Sequence, residues 1–175
     1  MKAFTIPFVG LKLGRHIYHF DINNAFFEHF EYEEFNSSNV QMEVVLDKKT
    51  TLLEFTLAFS GFVNVHCDLT NEPYDQAISG DYHFVVKFGE EYNDDNEDLL
   101  ILPHGSYQVN IQQYIYESIV LSLPSKRIHP GVKDGTLESD ILQKLEELKP
   151  KGTSISETPD TDPRWEDLKK LLTDK

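Results

Sequence analysis

Between Thr51 and Cys67 the apolar side chains fall on every second position. Leu53, Phe55, Leu57, Phe59, Val63, Val65 and Cys67 share one parity, and Glu54, Thr56, Ser60, Asn64 and His66 occupy the other. Successive side chains of an extended strand point to opposite faces, so this spacing predicts a long strand with one buried face. The pattern resumes after the turn-rich stretch Asp68 to Pro73. Ile78, Tyr82, Phe84, Val86 and Phe88 alternate there with Ser79, Asp81, His83 and Lys87, which predicts a long hairpin. Upstream, Val40, Met42, Val44 and Leu46 alternate with Gln41 and Glu43, and Asp47-Lys48-Lys49-Thr50 supplies a polar turn. Together these segments make a three-strand meander. The stretches 4–9 and 16–22 predict further edge or barrel-closing strands, and Asn23 opens a short aromatic-rich helix through Tyr32.

Glu90, Glu91, Asp94, Asp95, Glu97 and Asp98 crowd one segment, where hydration and mutual repulsion favour an exposed loop before a returning strand at 99–102. From Asn110 the period becomes helical: Ile111, Tyr114, Ile115, Ser118 and Ile119 share a face. Asn110 and Gln113 have the spacing of an N-cap and its reciprocal partner, and Pro124 ends the helix. A second helix is predicted over 138–148, with Ile141, Leu142, Leu145 and Leu148 as its apolar stripe. After a polar linker at 151–162, Pro163 opens a short final helix presenting Trp165, Leu168, Leu171 and Leu172. The expected class is therefore α+β: a twisted antiparallel sheet or partial barrel packed with helices, plus a short C-terminal helical tail. Residues 1–150 form the single domain, and 151–175 the linker and docking tail.

Charge narrows the function. Against 16 Lys and Arg the 175 residues carry 30 Asp and Glu, a formal net charge of −14. Broad neutralisation of nucleic-acid phosphates needs a basic face, and this balance disfavours it. A hydrophobic share of 39%, with 12 Phe and 8 Tyr, is enough for a core and argues against wholesale disorder. The single cysteine excludes an intrachain disulfide and fits a reducing compartment, so the expected location is the cytoplasm. No apolar run has the length of a membrane span or a secretory signal.

No enzyme signature stands out. The seven histidines lack the His-Glu-x-x-His spacing of a metal hydrolase, and no phosphate-cradling glycine loop or serine-nucleophile elbow is present. His66 and Cys67 are neighbours in a strand and point apart, which favours a buried structural thiol over a reactive one. The acidic segment reads as a solvated surface, with the holding of a basic partner as its functional alternative. Lys126, Arg127, His129 and Lys133 form a small basic stretch, more in keeping with an ordinary polar loop than with a phosphate contact. The Trp165 face serves either self-docking, the favoured reading, or another protein. No cofactor and no metal are expected.

Three passages, read in order, resemble the YceD-like large ribosomal RNA subunit accumulation proteins. The first runs from Gly61 to Tyr74 and is similar to the family's strand entering a Cys-x-Arg-Cys-Leu turn, with Cys67 kept and Leu69 and Thr70 standing at the Arg and second Cys positions. The second comprises the acidic loop and the Asn110 helix, with Glu117 and a run from Ser118 to Pro124 similar to the family's Leu-x-Leu-Pro ending, followed by Arg127-Ile128-His129-Pro130. The third is Asp162-Pro163-Arg164-Trp165-Glu166-Asp167-Leu168, which resembles a terminal Asp-Pro-Arg-x-x-x-Leu signature. The resemblance implies a non-enzymatic role in accumulation, processing or assembly of large-subunit ribosomal RNA and supplies no catalytic residue. A thiolate metal site is unsupported, because too few ligands remain.

Glu117, Lys126, Arg127, His129, Lys133, Pro163, Arg164 and Trp165 are the candidate partner-binding residues. The expected partner is a ribosome-assembly protein or a basic ribosomal protein, with local contact to large-subunit ribosomal RNA and none to membrane. The alternatives are an acidic protein-binding adaptor unrelated to ribosomes and, lower in order, a hydrolase whose His and carboxylate groups converge only on folding.

Overall fold

The computed structural model of the chain describes residues 2–137 and 139–149. The expected tail, with Pro163, Arg164 and Trp165, lies outside these residues. The chain divides into two compact units, Met1–Glu138 and Ser139–Lys175.

In the first unit the alternating segments become β2 (Gly14–Asn23), β3 (Ser37–Lys48), β4 (Leu52–His66) and β5 (Pro73–Gly89), an antiparallel meander. The register sets Phe55 between Leu46 and Phe84, and Leu57 between Val44 and Tyr82. One parity is thus one face, and Val44, Leu46, Phe55, Leu57 and Phe84 lose all contact with solvent. Gln41, Glu43, Thr56, Ala58 and Ser60, on the opposite parity, are exposed. At Gly61 the backbones of β3 and β4 crowd together. A Cβ there would stand 2.2 Å from the Asn39 carbonyl oxygen and 2.7 Å from the Val40 Cα.

The sheet is mixed, which corrects the expected antiparallel one. After β5 the chain crosses to β6 (Asn93–Asn96), and β7 (Leu99–Pro103) returns between them, parallel to β5 and antiparallel to β6. The six strands run in the order β2-β3-β4-β5-β7-β6, so the sheet is open, with β2 and β6 at its edges. The acidic segment expected to be a loop therefore contains a strand. An edge strand needs only one partner, which β7 provides by pairing Ile101 with Asn93 and Leu99 with Asn96, while Leu100 and Leu102 anchor β7 in the core; exposed charge on such an edge discourages unwanted strand pairing.

A 3-10 turn (Lys2–Phe4) leads into β1 (Thr5–Pro7), which pairs antiparallel with β8 (Gln108–Asn110) as a separate two-stranded sheet. This seats Phe4 against Phe20 and Phe26, with centroids 5.2 and 5.0 Å away, and Phe8 against Phe88 at 5.6 Å. α1 (Asn24–Glu28) is capped by the Asn23 side-chain oxygen, which accepts from the Ala25 N–H at 3.1 Å. It stops short of the expected Tyr32. The Phe27 carbonyl accepts from the N–H groups of Phe30 and Tyr32, Glu31 takes a left-handed φ of 54°, and Phe30 stacks on Tyr116 at 4.2 Å. Aromatic burial here wins over one more helical turn.

α2 (Gln112–Leu121) buries Ile115 and Ile119, with Ile111 buried just before it. Its start departs from the expected reciprocal box. Asn110 accepts from the Gln112 N–H at 2.9 Å, whereas the Gln113 amide donates along the helix to Glu117 at 2.6 Å. The last α-helical residue is Leu121, before Pro124. Tyr114 stacks on Phe84 with centroids 4.0 Å apart, and Phe84 stacks on Phe55 at 4.9 Å.

Burial, then the nearby Tyr92, Tyr82, Asp94 and Glu117, push the Tyr114 hydroxyl up to about 12. A folded pKa above the unfolded value of about 10 gives stability that is complete below pH 10 and lost as pH rises towards 12, because the unfolded chain releases the proton first. Tyr114→Phe is expected to flatten this alkaline loss, read as the pH dependence of the denaturant midpoint between pH 9 and 12. An unchanged slope would contradict the assignment to Tyr114.

α3 (Pro130–Lys133) completes the helices of the first unit. In the second unit, α4 (Asp140–Leu148) matches the expected helix, with the Ser139 hydroxyl accepting from the Ile141 N–H at 3.3 Å.

Candidate interaction surface

Two structures in the first unit present the candidate residues. The first is a junction between the turn after β4 and the segment after α2. Asp68 and Arg127 are joined by two hydrogen bonds: the Asp68 N–H donates to the Arg127 carbonyl at 2.8 Å, and the Arg127 N–H donates to the Asp68 side-chain carboxylate at 2.7 Å. The guanidinium then bridges two elements, with Nη1 2.8 Å from Glu34 and Nε 3.4 Å from Asp68. The Glu34 hydrogen bond leads in raising the Arg127 pKa, and the half-buried guanidinium is held between two carboxylates.

Cys67 lies at the same junction, 2% exposed, and its Sγ accepts from the His129 N–H at 3.3 Å. Burial pushes the thiol up, but bonds from the His129 N–H, the Thr70 side chain and the Leu69 and Thr70 backbone outweigh it, and the net direction is down. His129 packs edge-on against Tyr74 at 5.4 Å, and its Nδ1 accepts from the Gly131 N–H at 2.9 Å to cap α3. The thiol and imidazole therefore hold backbone in place. Lys126 and Lys133 are the exposed cations of this segment. Among the described residues no group of three or more His, Cys, Asp or Glu is arranged to hold a metal.

The second structure is a groove of about 710 Å³ bounded by α2, β6, β7 and β8. Leu100, Leu102 and Val109 form its buried floor, and Tyr82, Tyr114 and Tyr116 a half-buried aromatic wall. Asp94, Glu97 and Glu117 stand exposed at its rim, with Tyr92 and Leu121. The Tyr82 hydroxyl donates to the Glu97 carbonyl, which ties the β6–β7 turn to β5.

With this geometry in place, the family model described as large ribosomal RNA subunit accumulation protein YceD matches residues 55–172, more than half of the chain. The chain belongs to the YceD family. The matched region takes in β4 from Phe55 onward, β5, α2 and the Asp68–Arg127 pair, and leaves Glu34 outside it. The family's name ties it to accumulation of the large ribosomal RNA subunit, a ribosome-related role. No curated protein and no solved structure matches the chain. Among the described residues no helix is long and apolar enough to cross a membrane.

Of the residues singled out from the sequence of this YceD-family chain, Arg127 and His129 meet at the Cys67 junction, Lys126 and Lys133 flank it along the chain, and Glu117 belongs to the groove. Pro163, Arg164 and Trp165 fall outside the described residues. Glu34 and Asp68, the partners of Arg127, and the groove's Tyr82 and Leu100 were not singled out as site residues. The turn motif carried a signal for Asp68; nothing local pointed to Glu34, which lies 93 residues from Arg127.

Proposed function

We propose that this protein is a non-enzymatic, cytoplasmic ribosome-biogenesis factor that supports accumulation or processing of large-subunit ribosomal RNA, acting chiefly through protein contacts. The match to the YceD family over residues 55–172 carries this reading. The emphasis on protein rather than RNA is supported by charge. The net charge is −14, and of the cations at 126, 127 and 133, Arg127 is already paired with Glu34 and Asp68, which leaves Lys126 and Lys133 for local phosphate contact. The non-enzymatic reading is supported by the bonds of the groups that chemistry would draw on: Cys67 accepts from the His129 backbone, His129 caps α3, and Asp68 clamps Arg127. A basic ribosomal protein or an assembly factor is the proposed partner.

Depleting the protein in its native cell and measuring mature and precursor large-subunit ribosomal RNA against the small-subunit species tests this function. The expected result is a selective loss of large-subunit RNA, restored by re-expression. An unchanged ratio after verified depletion would overturn the reading in favour of an acidic adaptor unrelated to ribosomes.

A further inference from the structure

The groove between α2 and the β6–β7 hairpin combines two features that favour the same kind of occupant. Its floor is apolar and built from buried side chains, Leu100, Leu102 and Val109, so an inserted apolar group would exchange water for carbon contacts. Its volume of about 710 Å³ lies within the roughly 300–1,000 Å³ of pockets that enclose drug-sized groups. Its rim carries Asp94, Glu97 and Glu117, and none of the described lining residues is Lys, Arg or His. Neither Asp94 nor Glu97 makes a side-chain ion pair among the described residues, and Glu117 bonds only the neutral Gln113 amide. The charged groups among the described lining are all carboxylates, so a phosphate backbone would meet repulsion there, whereas ammonium or guanidinium groups would find partners beside an apolar floor.

We infer that this groove binds a basic protein segment, one that inserts a leucine-sized or aromatic side chain between α2 and β7 while flanking lysines or arginines pair with Asp94, Glu97 and Glu117. This deepens the proposed function by placing its protein contact on a specific surface, and it rests on that reading only for the identity of the natural partner. The apolar anchor supplies most of the hold, and the carboxylates set approach and selectivity. Binding should therefore weaken both when the anchor is removed and when salt is raised.

The test uses the full-length protein and three labelled synthetic probes: a twelve-residue lysine-rich peptide with two leucines, the same peptide with serines for the leucines, and a twelve-nucleotide single-stranded RNA. Fluorescence anisotropy is measured at low and moderate salt. The leucine peptide is expected to bind at least tenfold tighter than the serine peptide and the RNA. It should lose at least tenfold in affinity for the double variant Asp94→Lys with Glu117→Lys, and severalfold for Leu121→Ser, a residue 81% exposed at the rim. All three replaced residues are exposed, so unchanged melting of the variants verifies the fold. Equal binding of the leucine and serine peptides, tighter binding of the RNA, undiminished binding to the double variant, or no peptide binding would each overturn the assignment. These outcomes are independent of the depletion experiment. A bound leucine peptide with an unchanged RNA ratio would keep the groove and overturn the ribosomal reading, and the converse would do the opposite.

Discussion

Replacing Phe84 with alanine is expected to lower the unfolding free energy by about 3–5 kcal/mol, the range for emptying a buried aromatic site. Phe84 is fully buried, and its two nearest rings are Phe55 at an interplanar angle of 5° and Tyr114 at 15°, with Tyr82 further off at 6.0 Å. The first ring belongs to β4 and the second to α2, so one side chain joins the sheet to the helix that forms a wall of the groove. Domains have a net stability of about 5–15 kcal/mol, so the loss is a large fraction of the whole. The denaturant midpoint should fall sharply with the slope unchanged. A loss under about 1 kcal/mol would mean that the Phe55–Phe84–Tyr114 stack is not what seats α2. Leu121→Ser, at the exposed end of the same helix, should leave stability within about 0.5 kcal/mol.

Gly61→Val should produce the second large effect. A Cβ at 2.2 Å from a main-chain oxygen cannot be accommodated by rotating a side chain, because the obstacle is the β3 backbone. Strands β3 and β4 must separate or slip, and a slip of one residue would turn the Val63 and Val65 face towards solvent. Overpacking of this kind costs about 1–3 kcal/mol and occasionally more; a β-branched residue against backbone belongs at the upper end. Gly10→Ala is the matched control, since nothing lies within 4 Å of a Cβ there, and it should change the midpoint little. Equal midpoints for the two variants would show that the strands yield at Gly61 without cost.

The meander was legible because its information is local. The two-residue period of Leu53 to Cys67 and of Ile78 to Phe88 names the buried face directly, and Leu53, Phe55, Leu57, Phe84 and Val86 are the buried residues it predicts. The parallel pairing of β5 with β7 was not legible, because Val85 meeting Leu99 follows from a crossover through β6 and not from any pattern within either strand. The Asn93–Asn96 strand was hidden for a different reason. Asn and Asp have poor strand propensity, and here the neighbour supplies the structure. The Asn110 box failed by rotamer choice: Gln113 has Glu117 one turn ahead and bonds there.

The same division applies to the sites. The Cys67 turn and the Arg127–His129 stretch each read as motifs, yet 62 residues separate Cys67 from His129, and their contact emerges only when the β4–β5 hairpin and α2 are in place. The groove was less legible still. Its acidic rim was visible as a charge run, while its apolar floor is shared between β7 and β8, whose side chains look individually like ordinary core.

The pairing of β1 with β8 has a consequence for how the protein comes into being. Thr5 pairs with Asn110, so the strand made early waits for a partner 110 − 5 = 105 residues later in the chain. At about 5–20 residues per second of synthesis, that interval is roughly 5–20 s. Throughout it the meander can zip by successive neighbouring hairpins, while Phe4, Ile6 and Phe8 have no finished surface to cover. Closure of the N-terminal strand and docking of α2 follow directly after one another, since β8 leads into the helix. A nascent chain whose residues up to 107 have emerged from the ribosome should therefore hold a formed β4–β5 hairpin and a protease-sensitive segment at 4–8, and emergence of β8 and α2 should protect that segment.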